Sequence, residues 1–208
     1  LDLGDGRKAE LNGSIDRVDT VILDDGRKAA MLYDFKSSVK EVRGEALRAG
    51  LQLQLPIYMI AAQNGMPDHM IAGALYQPVR EIIVESDADD TDIIDKKIES
   101  DLCSRGIILD DERIRTAASP VKYKVNSSSS DIIRTVSEEG MTDVIKRGAG
   151  SACAVIRKML DGETAPDPLQ DGVSLPCGYC GARNACPFDT RIDGCRVRKL
   201  KNLNDVEE

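Results

Sequence analysis

Two segments near the start of the chain, Gly13-Ser14-Ile15-Asp16-Arg17-Val18-Asp19 and Tyr33-Asp34-Phe35-Lys36-Ser37-Ser38, constrain the fold more than any other feature. Both read as β-strands, and Asp25-Gly26 between them is a hairpin-turn signal. The reading is a pair of strands over residues 8–23 and 29–36. Successive strand side chains alternate faces, so Asp34 and Lys36 project one way and Phe35 the other. Pairing of the strands brings Asp16 toward Asp34. Asp19, three residues further on, is expected on the opposite face, as an outer support. Two carboxylates beside an ammonium can hold a divalent metal and position a water.

A helix is expected over residues 41–64, with Leu47, Leu51, Leu55, Tyr58 and Ala62 along one side and a kink at Pro56. Gln54 and Tyr58, four apart, share a helical face. The series Gly13-x-Ile15-Asp16, Asp34-x-Lys36 and Gln54-x-x-x-Tyr58 resembles the motif series of RecB-family nucleases within the PD-(D/E)XK superfamily. The resemblance implies an α/β, restriction-endonuclease-like fold, a mixed central sheet flanked by helices. Its catalytic residues would be Asp16, Asp34, Lys36, Gln54 and Tyr58. Asp16, Asp34 and the Phe35 carbonyl would hold Mg²⁺ or Mn²⁺, and Lys36 would orient the attacking water. Gln54 and Tyr58 would orient Lys36 or a phosphate. Ser37 and Ser38 are weaker candidates for contact with a nucleic-acid backbone.

Near the other end, Cys177-x2-Cys180-x5-Cys186 has metal-ligand spacing, and a fourth ligand is needed to complete either a tetrahedral zinc site or a four-thiolate cluster. Cys195 is a fourth candidate, whereas Cys103 and Cys153 read as packing thiols. The motif series followed by this triad resembles the C-terminal nuclease domains of AddB subunits of AddAB helicase–nucleases. Gly73 to Val79 fits the strand after the Gln/Tyr helix there, and Arg105 to Glu112 the following loop and helix start. In that family the triad and one cysteine far upstream bind a [4Fe–4S] cluster. That upstream cysteine has no counterpart here, and the chain starts at Leu1 without Met. An excised piece of a larger protein is therefore expected, lacking an N-terminal helix that adjoins the site in the family, with the cluster incomplete or absent in it. His69 is expected on the surface rather than as a replacement ligand. The implied partners are DNA, as single strands from unwound ends, and the AddA subunit.

The remaining composition fits one globular domain. The chain has 208 residues, 41% hydrophobic and 31% charged, enough to bury a sizeable core. Six cysteines without a secretory signal argue for reduced thiols and a cytoplasmic location, and no apolar run is long enough for a membrane. A net charge of −8 is unlike a protein that captures DNA unaided. It suits a domain handed its strand by a larger machine, with Arg196 to Lys201 as a basic stretch able to touch phosphates.

Along the rest of the chain the reading places strands over 70–85, with Pro78 marking an edge or bulge. Helices are expected at 90–104 and 138–161, the second weakened by Gly148 and Gly150. A short strand at 122–125 precedes a polar loop at 126–130, and residues 162–176 link to a cysteine knuckle. The division is a nuclease core with a helical insertion over 1–161 and a cysteine-rich segment over 162–208. Three functions compete: a strand-resecting deoxyribonuclease at broken ends, on family resemblance an exonuclease on the 5′-terminated strand, a CRISPR-adaptation-type nuclease with the same motifs, and a silent DNA-end or partner-binding module with structural zinc. The long interval from Lys36 to Cys177 favours the first over the second, and the intact Asp16, Asp34 and Lys36 speak against the third.

Overall fold

The computed structural model describes residues 1–38, 40, 42–81, 91–117 and 135–200. Strand β1 (Arg17–Ile22) pairs antiparallel with β2 (Lys28–Lys36), Arg17 opposite Tyr33. Gly26 closes the hairpin with φ +82°, a left-handed conformation that favours glycine, and Asp25 Oδ1 accepts from Arg27 N at 3.0 Å. The first strand is shorter than the alternation suggests: residues 8–16 stay irregular apart from a bridge between Lys8 and Asp2. Residues 29–34 of β2 are all buried, because the strand is paired along both edges.

The single kinked helix is instead two. Helix α1 (Gly44–Arg48) ends at Gly50, which has φ +74°. Gly50 N donates to Leu47 O at 3.1 Å and Leu51 N to Ala46 O at 2.9 Å, the two bonds of a Schellman motif. Helix α2 (Gln54–Gly65) then starts afresh, with Pro56 in its first turn. There a missing N–H costs nothing, because the first four N–H groups of a helix have no partner within it. Proline here permits the helix start and bends nothing.

The chain returns as β3 (His69–Pro78), parallel to β2. Helix α3 (Thr91–Asp101), strand β4 (Arg105–Leu109), helix α4 (Glu112–Ala117) and strand β5 (Thr135–Val136) follow. The five strands form one mixed sheet in the order β1-β2-β3-β4-β5, with β3 in the centre. Pro78 thus marks neither an edge nor a bulge: it is the last residue of the central strand, where a lost donor matters least. The register shift lies elsewhere, at Ala72, between Ile71, opposite Ala30, and Gly73, opposite Met31. Residues 105–109, read as a loop, are a strand whose Ile107, Ile108 and Leu109 enter the core. The expected strand residues 82–85, the strand at 122–125, the loop at 126–130 and Lys201 lie outside the described residues.

Helix α5 (Glu138–Leu160) is capped by Ser137, whose side chain accepts from Gly140 N at 3.0 Å, with acidic residues in its first turn and basic ones in its last. It packs on α2, and Met141, Val144 and Ile145 join Leu32, Leu55, Met59 and Ile107 in the core. Beyond it, β6 (Leu169–Gln170) and β7 (Arg198–Lys199) form a small parallel pair around a 3₁₀ turn, Pro176–Tyr179. Arg43, before α1, ties this segment to the core through a forked ion pair with Asp171.

Candidate functional site

The end of β2 carries Asp34, which is 2% exposed, and the β1–β2 register sets Asp16 beyond the last pair, next to it. Asp16 Oδ2 accepts from the backbone N–H of Phe35 at 2.7 Å, which fixes the carboxylate at this strand end. The first turn of α2 covers the same place. Gln54 Nε2 donates to Asp34 Oδ1 at 2.8 Å, and Gln54 Oε1 accepts from Lys36 Nζ at 3.0 Å. Tyr58, one turn on, lies with its hydroxyl 3.0 Å from Gln54 Nε2 and 3.4 Å from Asp34 Oδ1. Asp34 Oδ2 is buried, accepts no hydrogen bond of regular geometry and meets the Lys36 ammonium as an ion pair. Burial makes that pairing consequential, since removing one partner of a buried pair leaves the other charge uncompensated.

Five of the sequence candidates, Asp16, Asp34, Lys36, Gln54 and Tyr58, therefore converge. Phe35 contributes only backbone, as its side chain faces away and is 42% exposed. Asp19 belongs elsewhere: it pairs with Arg17 at 2.6 Å on the exposed face of β1. Ser37 and Ser38 follow β2 in an exposed bend. His69 is half-buried rather than superficial and opens β3 opposite Lys28, at the far end of the strands from Asp34.

Tyr76, which no sequence motif marks, belongs to the site. It sits on β3 directly opposite Asp34, is 6% exposed, and its ring lies 5.5 Å from Lys36 Nζ. Burial first, then the charges of Asp34 and Tyr58, push its phenol up to about 12, so it stays neutral. Only the strand register, set partly by the irregularity at Ala72, reveals the neighbour.

A cavity of about 790 Å³ opens beside the cluster. Lys36, Gln54 and Tyr76 form one wall; Asp171, Pro176 and Tyr179 of the C-terminal segment form another. Lys40, Arg43 and Arg198 also reach it, and Arg198, from the expected basic stretch, is held by Asp167 at 2.7 Å. The acidic chain thus keeps cations at this opening.

The cysteines are arranged differently from the expectation. Cys177, Cys180 and Cys186 line a separate cavity of about 510 Å³ with Arg183, Asp189 and Arg191. None of the six cysteines is in a disulfide, and among the described residues no three His, Cys, Asp or Glu side chains are grouped to hold a metal. The triad as it stands is not gathered into a cluster ligand set. Cys103 and Cys153 are buried, as packing thiols should be.

A protein-family model described as the PD-(D/E)XK nuclease superfamily matches residues 1–187. The chain is similar to the AddB subunit of the ATP-dependent helicase/deoxyribonuclease of Moorella thermoacetica, with 29% identity over 98% of this chain and 19% of that protein. The protein of the same name from Natranaerobius thermophilus is 30% identical over 88% of this chain and 17% of its own length. That from Clostridium botulinum (strain Langeland) is 30% identical over 100% and 19%. The chain spans about a fifth of the length of these relatives.

Proposed function

The chain belongs to the PD-(D/E)XK nuclease superfamily, and on that premise we propose that it is the nuclease domain of an AddB-type subunit, hydrolysing phosphodiester bonds of single DNA strands released at broken ends. The observation that carries this reading is the convergence of Asp16, Asp34 and Lys36 at one strand end, braced by Gln54 from a different element. Enzymes of this superfamily generally use divalent metal ions. The donor set fits one: a buried carboxylate oxygen on Asp34 that accepts no hydrogen bond and already faces a cation, with Asp16 alongside. Magnesium or manganese is the proposed ion, because such cations take oxygen ligands and keep several waters, so two carboxylates and the Phe35 carbonyl suffice. When bound, the ion lowers the pKa of a water and polarises the scissile phosphate.

The chain's own residues do the rest. Asp34 and Asp16 hold the ion. Lys36 orients the attacking water and offsets negative charge that develops on the phosphate oxygens. Gln54, bonded to both Asp34 and Lys36, keeps the two in fixed relation, and Tyr58 steadies the amide so that it cannot turn over. The cavity beside Lys36 is the proposed path of the strand, with Lys40, Arg43 and Arg198 for its phosphates.

An AddA-type helicase partner and a cytoplasmic location belong to the same proposal, supported by the names of the relatives. No helix among the described residues is long and apolar enough to cross a membrane. For Cys177, Cys180 and Cys186 we infer three of the four ligands of a [4Fe–4S] cluster, supported by their spacing and shared cavity. No step of the reaction runs through it. Undiminished iron after Cys180→Ser in the full-length polypeptide would exclude that assignment.

The decisive experiment is cleavage of end-labelled single-stranded DNA with Mg²⁺ or Mn²⁺ by the full-length polypeptide and its Asp34→Ala variant. The expected loss is about 10³-fold or more, as for removal of a group on which the reacting centre depends. Wild-type rates in Asp34→Ala would sink the assignment.

A further inference from the structure

Lys36 has a long, flexible stem, and an ammonium on such a stem does not hold one position unaided. Asp34 Oδ2 and Gln54 Oε1 occupy two of the directions available to its three N–H donors. Beyond them lies the open cavity, into which the side chain is free to swing. The ring of Tyr76 meets the ammonium on that side, with Nζ 5.5 Å from the centroid. This is within the range at which an aromatic face attracts a cation. The ring is itself held firmly: Tyr76 is 6% exposed and is paired in the central strand with Asp34 on one side and Arg105 on the other. A rigid ring, a buried carboxylate and a bonded amide thus enclose Lys36 Nζ from three elements, β3, β2 and α2.

We propose that Tyr76 is a positioning residue for Lys36, its ring face seating the ammonium beside Asp34 and Gln54 so that one N–H is left for the reacting water. The inference rests on the nuclease reading above and acts wholly through Lys36. The ring, not the hydroxyl, carries the effect. The contribution falls on the rate of the chemical step rather than on the grip on DNA.

The test compares Tyr76→Phe and Tyr76→Leu in the full-length polypeptide, each alone and combined with Lys36→Ala, with Asp34→Ala as the control. Tyr76→Leu is expected to lower kcat about tenfold with little change in KM, and Tyr76→Phe to keep kcat within about twofold of wild type. In the Lys36→Ala background, followed over longer incubations, Tyr76→Leu should add almost nothing, because the group it seats is gone. A second readout does not depend on turnover. With ¹³C-labelled lysine, the Lys36 ε-CH₂ resonances should be shifted upfield by the ring in wild type and Tyr76→Phe, and return to ordinary values in Tyr76→Leu. Equal losses with and without Lys36, a Phe variant as impaired as Leu, or unshifted Lys36 resonances in wild type would each overturn the proposal. Asp34-dependent cleavage persisting in that case would leave the nuclease reading standing. Cleavage indifferent to Asp34→Ala would remove that reading and this one with it.

Discussion

Adding one methyl group at Gly148 should loosen the site from a distance, whereas adding one at Gly150 should tighten the protein. Both glycines lie inside α5, where alanine is favoured over glycine by about 1 kcal/mol. At Gly150 an added Cβ meets nothing within 4 Å. The full propensity gain is then available, and Gly150→Ala should raise Tm by about 2–4 °C for a chain of this size. At Gly148 the same Cβ would stand 2.2 Å from Pro56 Cβ and 3.1 Å from its Cγ. Carbon atoms pack at roughly 3.5–4.0 Å, so α2 and α5 must part by more than about 1 Å. Overpacking of this kind costs about 1–3 kcal/mol, which outweighs the propensity gain at all but the low end. The expected net loss is about 1–2 kcal/mol.

The consequence for function follows from where Pro56 sits. It is two residues from Gln54, in the turn that bonds Asp34 and Lys36. Displacing that turn by about 1 Å is enough to cost up to about 10²-fold in rate. Urea denaturation followed by circular dichroism, beside Mg²⁺-dependent cleavage, should therefore show Gly148→Ala less stable and slower, and Gly150→Ala more stable and unaffected. If the two variants prove equally stable and equally active, the close approach of α2 and α5 at Gly148 is wrong.

Two other expectations concern ion pairs. Hydrogen bonds from Arg113 hold the Asp111 carboxyl at about 2, down from 3.8, so its contribution to stability is complete above about 4 and is lost as pH falls toward 2. Arg113→Ala should return the carboxyl toward 3.8 in a ¹³C NMR titration and flatten the dependence of the urea midpoint on pH between those limits; an unmoved titration would refute the pairing. Arg43→Ala should free the C-terminal segment from α1 while changing Tm little, since the Arg43–Asp171 pair is 33% and 39% exposed. Limited proteolysis should then cut faster within residues 162–175, and an unchanged digestion pattern would show that other contacts hold the segment.

The catalytic alternation Asp34-x-Lys36 was legible because strand periodicity is a property of two successive peptide units and needs no partner. The same holds for the Gln54-x-x-x-Tyr58 spacing, the hairpin turn at Asp25-Gly26 and the extent of α5, all local features read from neighbours in sequence. Their convergence at one strand end followed once the hairpin was assumed. The apolar spacing through residues 41–64, by contrast, continues across Gly50 and concealed a helix stop that lies in backbone bonds, while Pro56 signals a kink or a start with equal force. Residues 105–109 look like any short apolar run until β3 supplies an edge. Tyr76 is beside Lys36 only because a parallel crossover and the irregularity at Ala72 set its register, and Gly148 is tolerable only because Pro56 comes against it. Sequence alone determined which chemical groups the chain brings and how they alternate along it. Only the tertiary structure decided which of them meet, because strand register and helix approach are settled between segments far apart in the chain, by burial and backbone pairing that no local window contains.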